Sequence, residues 1–132
     1  MAGIKGLAHI GVFTADLDTS LDFYCNKMGF ELFYSMDMPA TRLRFIRAGG
    51  CIIELINPAD YQGGRPTDGV VAHIAIEVED LRAYAVQLKA KGVALDLEKI
   101  SVLPKLFPTG STNLFFLGPN GESLELYEYV GA

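Results

Sequence analysis

The chain has 132 residues, half of them apolar and a fifth charged, which suits a packed core and argues against disorder. Its formal net charge of -5 and pI near 4.9 argue against a nucleic-acid surface, which needs a basic patch. With no apolar run near the length of a membrane span, no signal-peptide pattern, and only Cys25 and Cys51 as thiols, the expectation is a cytoplasmic protein with two reduced core cysteines and no membrane partner.

In chain order, Leu7 to Phe13 is apolar and partly β-branched, and reads as a buried strand. Asp16 stands where an N-cap belongs, ahead of Leu17, Leu21, Tyr24 and Met28 at helical spacing, and Gly29 is a natural stop. Three strands are expected next: Glu31 to Ser35, Arg42 to Arg47 and Cys51 to Ile56. Gly49-Gly50 makes the hairpin turn between the last two. The stretch Asn57 to Gly69, rich in Gly, Pro and Asp, reads as linker sequence.

The order then repeats. Val70 to Val78 reads as a strand, Asp80 as a cap, Leu81, Tyr84, Ala85 and Leu88 as the buried face of a helix, and Gly92 as its stop. Strands are expected at Ala94 to Leu97, Asn113 to Leu117 and Ser123 to Tyr129. A loop from Ser101 to Thr112 interrupts this copy, and Pro119-Asn120-Gly121 turns its last hairpin. His9/His73 and Asp16/Asp80 keep one common offset, and Gly29/Gly92 depart from it by a single residue. The expected fold class is α+β, one domain over 1–132 made of two tandem βαβββ modules, about 4–58 and 70–130, with a linker over 59–69.

The only two histidines share one context, Ala8-His9-Ile10 and Ala72-His73-Ile74. Strand alternation groups His9 with Gly11 and Phe13, and His73 with Ala75 and Glu77, opposite the β-branched residues. The β-branched face is expected under the helix and the histidines on the open face. Each copy also ends in a Glu-Leu step inside an apolar strand, Ile53-Glu54-Leu55 and Leu124-Glu125-Leu126. A carboxylate there is costly unless it is paired or metal-bound. If these strands line the open face, His9, Glu54, His73 and Glu125 form a donor set suited to divalent Zn, Ni, Co or Fe. The competing readings are structural histidines, Glu54 and Glu125 paired with Arg42, Arg44 or Arg47, and Glu122 or Glu128 as the useful carboxylates.

These residues resemble the vicinal-oxygen-chelate superfamily of glyoxalases, bleomycin resistance proteins and dioxygenases, and most of all glyoxalase I. The resemblance covers nearly the whole chain. It is carried by Leu7-Ala8-His9-Ile10-Gly11-Val12, by Leu21-Asp22-Phe23-Tyr24 ahead of Met28-Gly29-Phe30, and by Gly118-Pro119-Asn120-Gly121-Glu122-Ser123-Leu124-Glu125-Leu126. It implies a cupped mixed sheet with helices on the outer face, and a metal held from the first and last strand of each module. Those positions match His9, Glu54, His73 and Glu125. The implied metal is divalent, Zn or Ni first, with Co, Mn or Fe as alternatives. In many dimeric members the cup closes between subunits, so a homodimer is implied as well.

The activity that the resemblance implies is a glyoxalase I-like lyase/isomerase acting through a metal-stabilised enediolate on a small oxygen-chelating substrate. Glu125 is then the base and Glu54 its counterpart. Three alternatives stay open: an acyl-CoA epimerase, to which Glu54-Leu55-Ile56-Asn57-Pro58 is similar; an Fe(II) dioxygenase, which would leave Glu54 unused; and a non-catalytic, resistance-type binding protein. Phe13, Tyr34, Phe45, Phe107 and Phe115 are candidates to line the cup, and Arg42, Arg44, Asn113 and Tyr127 to hold a polar or anionic substrate. Some bacterial glyoxalases anchor glutathione with an arginine four residues after the first His and an asparagine four after the first Glu. Here Phe13 and Pro58 stand at those places.

Overall fold

The strands Ile10–Phe13 (β1), Glu31–Met38 (β2), Thr41–Ala48 (β3) and Cys51–Pro58 (β4) form a four-stranded sheet in the order β1-β4-β3-β2. Ile74–Glu77 (β5), Ser101–Leu103 (β6), Ser111–Leu117 (β7) and Ser123–Tyr129 (β8) form another in the order β5-β8-β7-β6. The computed structural model describes residues 3, 7–63, 73–104 and 109–130, and these fall into two compact units divided after Gly63. In each sheet the first strand runs parallel to the last and the other pairings are antiparallel. Each unit is therefore a βαβββ module with a mixed sheet, the α+β architecture that the repeat implies.

In the first unit the helix begins where the sequence places it. Asp16 is extended and accepts hydrogen bonds from the Thr19 N–H at 3.1 Å and the Thr19 hydroxyl at 2.9 Å, which opens α1 (Leu17–Leu21). The helix then widens into a π turn over Asp22–Lys27 and stops at Gly29, whose φ of +86° suits a residue without a Cβ. The wider turn explains a difference from the expected face. Phe23 and Tyr24 are both buried, while Leu21 is only half-buried. Tyr24 meets the edges of Phe23 and Phe30, with ring centroids 5.0 and 5.4 Å away.

Beneath this helix, Val12, Ile46, Ile53 and Leu55 form the sheet side of the core. Full burial of each such side chain contributes about 1.5–3 kcal/mol. The second unit repeats the arrangement with Ile74, Ile76, Leu114, Leu124 and Leu126. Its helix α2 (Leu81–Ala90) buries Leu81, Ala85 and Leu88, and Tyr84 is half-buried. Asp80 caps it, and the N–H groups of Asp80 and Leu81 both donate to the Glu128 carboxylate, at 2.8 and 3.1 Å.

The structure corrects the second module in one place. The stretch expected as a strand, Ala94 to Leu97, is not one. The Asp96 carboxylate accepts from the Glu98 N–H at 3.0 Å and starts a 3-10 turn over Leu97–Lys99. That local bond competes with ladder pairing. The strand comes later, as β6, inside the segment expected as a loop, and it pairs with β7. Elsewhere strand ends move. β2 continues to Met38, and β4 takes in Asn57, whose side-chain amide donates to the Thr14 carbonyl at 2.8 Å. β1 and β5 begin at Ile10 and Ile74, later than expected. Val70, Val71, Ala72, Phe107 and the linker stretch 64–69 lie outside the described residues. Both cysteines are free thiols and half-buried. Among the described residues no helix is long and apolar enough to cross a membrane.

Candidate metal centre

Strand register builds the same constellation in each unit. The parallel pairing of β1 with β4 sets Gly11 level with Glu54, and that of β5 with β8 sets Ala75 level with Glu125. Each histidine stands two residues earlier, on the same face as that Gly or Ala. Its ring therefore lies beside the carboxylate: His9 Nε2 is 3.3 Å from Glu54 Oε1, and His73 Nε2 is 3.3 Å from Glu125 Oε1. The antiparallel neighbours set Phe45 opposite Glu54 and Phe115 opposite Glu125. Each phenyl ring meets its imidazole edge-on, with centroids 5.5 Å apart for His9 and 5.2 Å for His73. A His–Glu–Phe triplet is thus made twice.

Burial gives the triplets a direction. The side chains of Glu54 and Glu125 are 17% and 6% exposed, whereas those of His9 and His73 are 42% and 41% exposed. The carboxylates are recessed and the imidazoles open to solvent. Two donors bound to one metal at about 2.0–2.2 Å, with angles between octahedral and tetrahedral, stand about 3.0–3.4 Å apart. The His–Glu separation fits that requirement in both units. Each unit supplies two such donors, and among the described residues neither brings three His, Cys, Asp or Glu side chains together.

The competing assignments for the carboxylates find other partners. Arg42 donates to Asn57 Oδ1 at 3.0 and 3.2 Å, Arg44 to Asp37 at 2.6 Å, and Arg47 to Glu31 at 2.8 Å. The Arg44 guanidinium holds the Asp37 carboxyl below the usual carboxylate range. Arg42 and Arg44 alternate with Phe45 and share the parity of buried Ile46. They therefore leave the strand on the face away from Glu54, which corrects the expectation that they hold a substrate there. Glu122 accepts from the Asn120 N–H at 2.7 Å within its turn, and Glu128 caps α2.

One polar contact at the site is not evident from the sequence. Asn113 donates its side-chain amide to Glu125 Oε2 at 2.8 Å. Counting back by two from Phe115 places Asn113 on the site face, but only the β7–β8 register shows which carboxylate it meets. Tyr127, on the same face, donates to the Ser111 hydroxyl or accepts from it at 2.9 Å. In the first unit Phe13 packs against Tyr61, with centroids 5.8 Å apart, so an aromatic pair stands at one of the two places where a glutathione anchor would be expected.

Comparison with known proteins gives the family and the fold. The profile of the Glyoxalase/Bleomycin resistance protein/Dioxygenase superfamily matches residues 6–126. The chain is 30% identical to the uncharacterized protein YwkD of Bacillus subtilis over 95% of its own length and 98% of that protein's. It is also 30% identical to a probable lactoylglutathione lyase of Vibrio cholerae, over 92% of this chain and 89% of that one. The fosfomycin resistance protein FosX of Listeria monocytogenes, solved with Mn(II) and sulfate, superposes with a TM-score of 0.70 at 21% identity, covering 98% of this chain and 96% of that one.

Proposed function

The chain belongs to the Glyoxalase/Bleomycin resistance protein/Dioxygenase superfamily, and on that footing we propose that it is a metal-dependent lyase/isomerase of the glyoxalase I type. The observation that carries this reading is the His–Glu–Phe triplet built twice, with the same 3.3 Å His–Glu separation in each unit. In this reading His9, Glu54, His73 and Glu125 are the candidate ligands of a divalent metal, a His–Glu pair from each unit. Zn or Ni are the first candidates, with Co, Mn or Fe as alternatives; the FosX complex with Mn(II) supports a divalent ion on this fold. The V. cholerae relative supports the lyase assignment. A homodimer is part of the proposal, and sedimentation of the purified chain as a monomer would remove that part.

When bound, the metal would supply Lewis acidity toward neighbouring oxygens of the substrate and so make the adjacent C–H proton more acidic. The chain's own groups do the rest. Glu125 takes the proton from the carbon that bears the hydroxyl and sulfur of a hemithioacetal and returns it to the neighbouring carbonyl carbon, which leaves a 2-hydroxyacyl thioester. Glu54 is its counterpart in the other unit. Phe45 and Phe115 hold the imidazole planes by edge contacts and keep water from one side of each ring. Phe13 and Tyr61 offer an aromatic surface to the substrate rather than a cation.

The test is Glu125→Gln, which keeps the shape and removes the base. With hemithioacetals of a 2-oxoaldehyde and several thiols, the wild type is expected to form thioester and the variant to lose about 10²–10⁴ of the rate while keeping its circular dichroism. Wild-type turnover in the variant would refute the base assignment. Thioester formation by neither protein with any thiol would refute the reaction class.

A further inference from the structure

The two triplets differ in one contact. Glu125 is held at both oxygens: Oε1 stands beside His73 Nε2 at 3.3 Å, and Oε2 accepts the Asn113 amide at 2.8 Å. A carboxylate accepts only, so the group of Asn113 that faces it is its NH₂. In the first unit, Phe45 opposite Glu54 matches Phe115 opposite Glu125. Counting back two residues from each phenylalanine, Leu43 stands where the second unit has Asn113. The leucine side chain has no N–H to give. Among the described residues His9 is the polar partner of Glu54, and the Glu54 side chain is also the more exposed, at 17% against 6%.

Resting on the metal-centre reading above, we infer that Asn113 is a positioning residue that fixes Glu125 and makes the two His–Glu pairs unequal. Its hydrogen bond stops the carboxylate from rotating about its last bond and leaves Oε1 as the oxygen presented beside His73. A neutral amide suits that task. An arginine at this place would hold the carboxylate equally well but would neutralise the charge that a metal or a departing proton needs. A buried carboxylate oxygen without this donor is unsatisfied and free to turn. Outer partners of this kind set the orientation and affinity of metal-ligating side chains.

The experiment is a Co(II) titration of the whole chain, tag-free and stripped of metal, followed by visible absorption and by competition with a chelator. Asn113→Leu reproduces what the first unit carries, so the fold has a precedent for it. Circular dichroism and the thermal midpoint check that it holds. The expected result is a loss of Co(II) affinity of about tenfold or more and a changed absorption band. Asn113→Gln, which keeps the amide, is expected to regain part of both. Wild-type affinity and band in Asn113→Leu would overturn the positioning role while leaving the metal centre intact. A wild-type chain that takes up no Co(II) would overturn the metal centre and the positioning role with it.

Discussion

His73 Nε2 stands 3.3 Å from Glu125 Oε1 although the two residues are far apart in sequence, and the same distance separates His9 Nε2 from Glu54 Oε1. The agreement comes from register. A parallel pairing of the first strand with the last brings residue two of one strand level with the glutamate of the other, and the histidine just before the strand falls over the carboxylate. The strand that carries the glutamate is held in place by core leucines and isoleucines on the opposite face. Site geometry is therefore tied to core packing.

That tie makes the first prediction. Leu126 is fully buried beside Glu125, and Glu77 is exposed at the end of β5. Leu126→Ala is expected to cost about 2–5 kcal/mol of stability, read as a fall in the urea midpoint. Glu77→Ala is expected to stay within about 0.5 kcal/mol. Equal effects of the two would contradict the assignment of faces.

A second prediction concerns acid. The Thr19 N–H and hydroxyl hold the Asp16 carboxyl below the usual carboxylate range. A lowered value in the folded state means that the cap stabilises above the unfolded carboxyl's pKa, and that this is lost as pH falls through the folded value. Asp16→Ala is therefore expected to be less stable than wild type at neutral pH, and the gap should close at low pH. A gap that stays constant with pH would show that the charge has no part in capping. Asp16→Asn, which caps without a charge, is expected to show a flat profile.

Thiol reactivity offers a third. Burial pushes both the Cys25 and Cys51 thiols above their usual range, with a backbone hydrogen bond from Leu32 partly opposing this at Cys25. The thiolate is the reactive form. Alkylation at neutral pH is expected to be slow in the folded protein, to quicken as pH rises, and to reach the rate of free cysteine in denaturant. Prompt modification of both thiols in the native state would contradict their burial.

Much of this was legible in the sequence because it rests on short-range rules. Asp16 and Asp80 cap their helices and Gly29 and Gly92 carry positive φ, as their residue types suggest. Alternation about Ile10 and Val12 gave the buried face, and Ile53-Glu54-Leu55 marked a carboxylate flanked by core residues. The misses are of a different kind. The π turn that buries Phe23 beside Tyr24 depends on backbone hydrogen bonding that side-chain spacing does not reveal. The place of β6 turned on whether the Asp96 side chain would bond its own backbone. Asn113 meets Glu125 only through a register that the two strands settle together. Arg42 and Arg44, near Glu54 in sequence, lie on the other face for the same reason, and Arg47 is taken up by Glu31.

His9, Glu54, His73 and Glu125 are proposed to bind a divalent metal. The most direct test is the metal content of the tag-free protein, purified beside His9→Ala and His73→Ala. About one divalent ion per ligand set is expected in the wild type, lost from both variants while their circular dichroism is unchanged. A wild-type protein that stays metal-free after reloading with Zn, Ni, Co, Mn and Fe(II), or variants that keep the metal, would contradict the proposal.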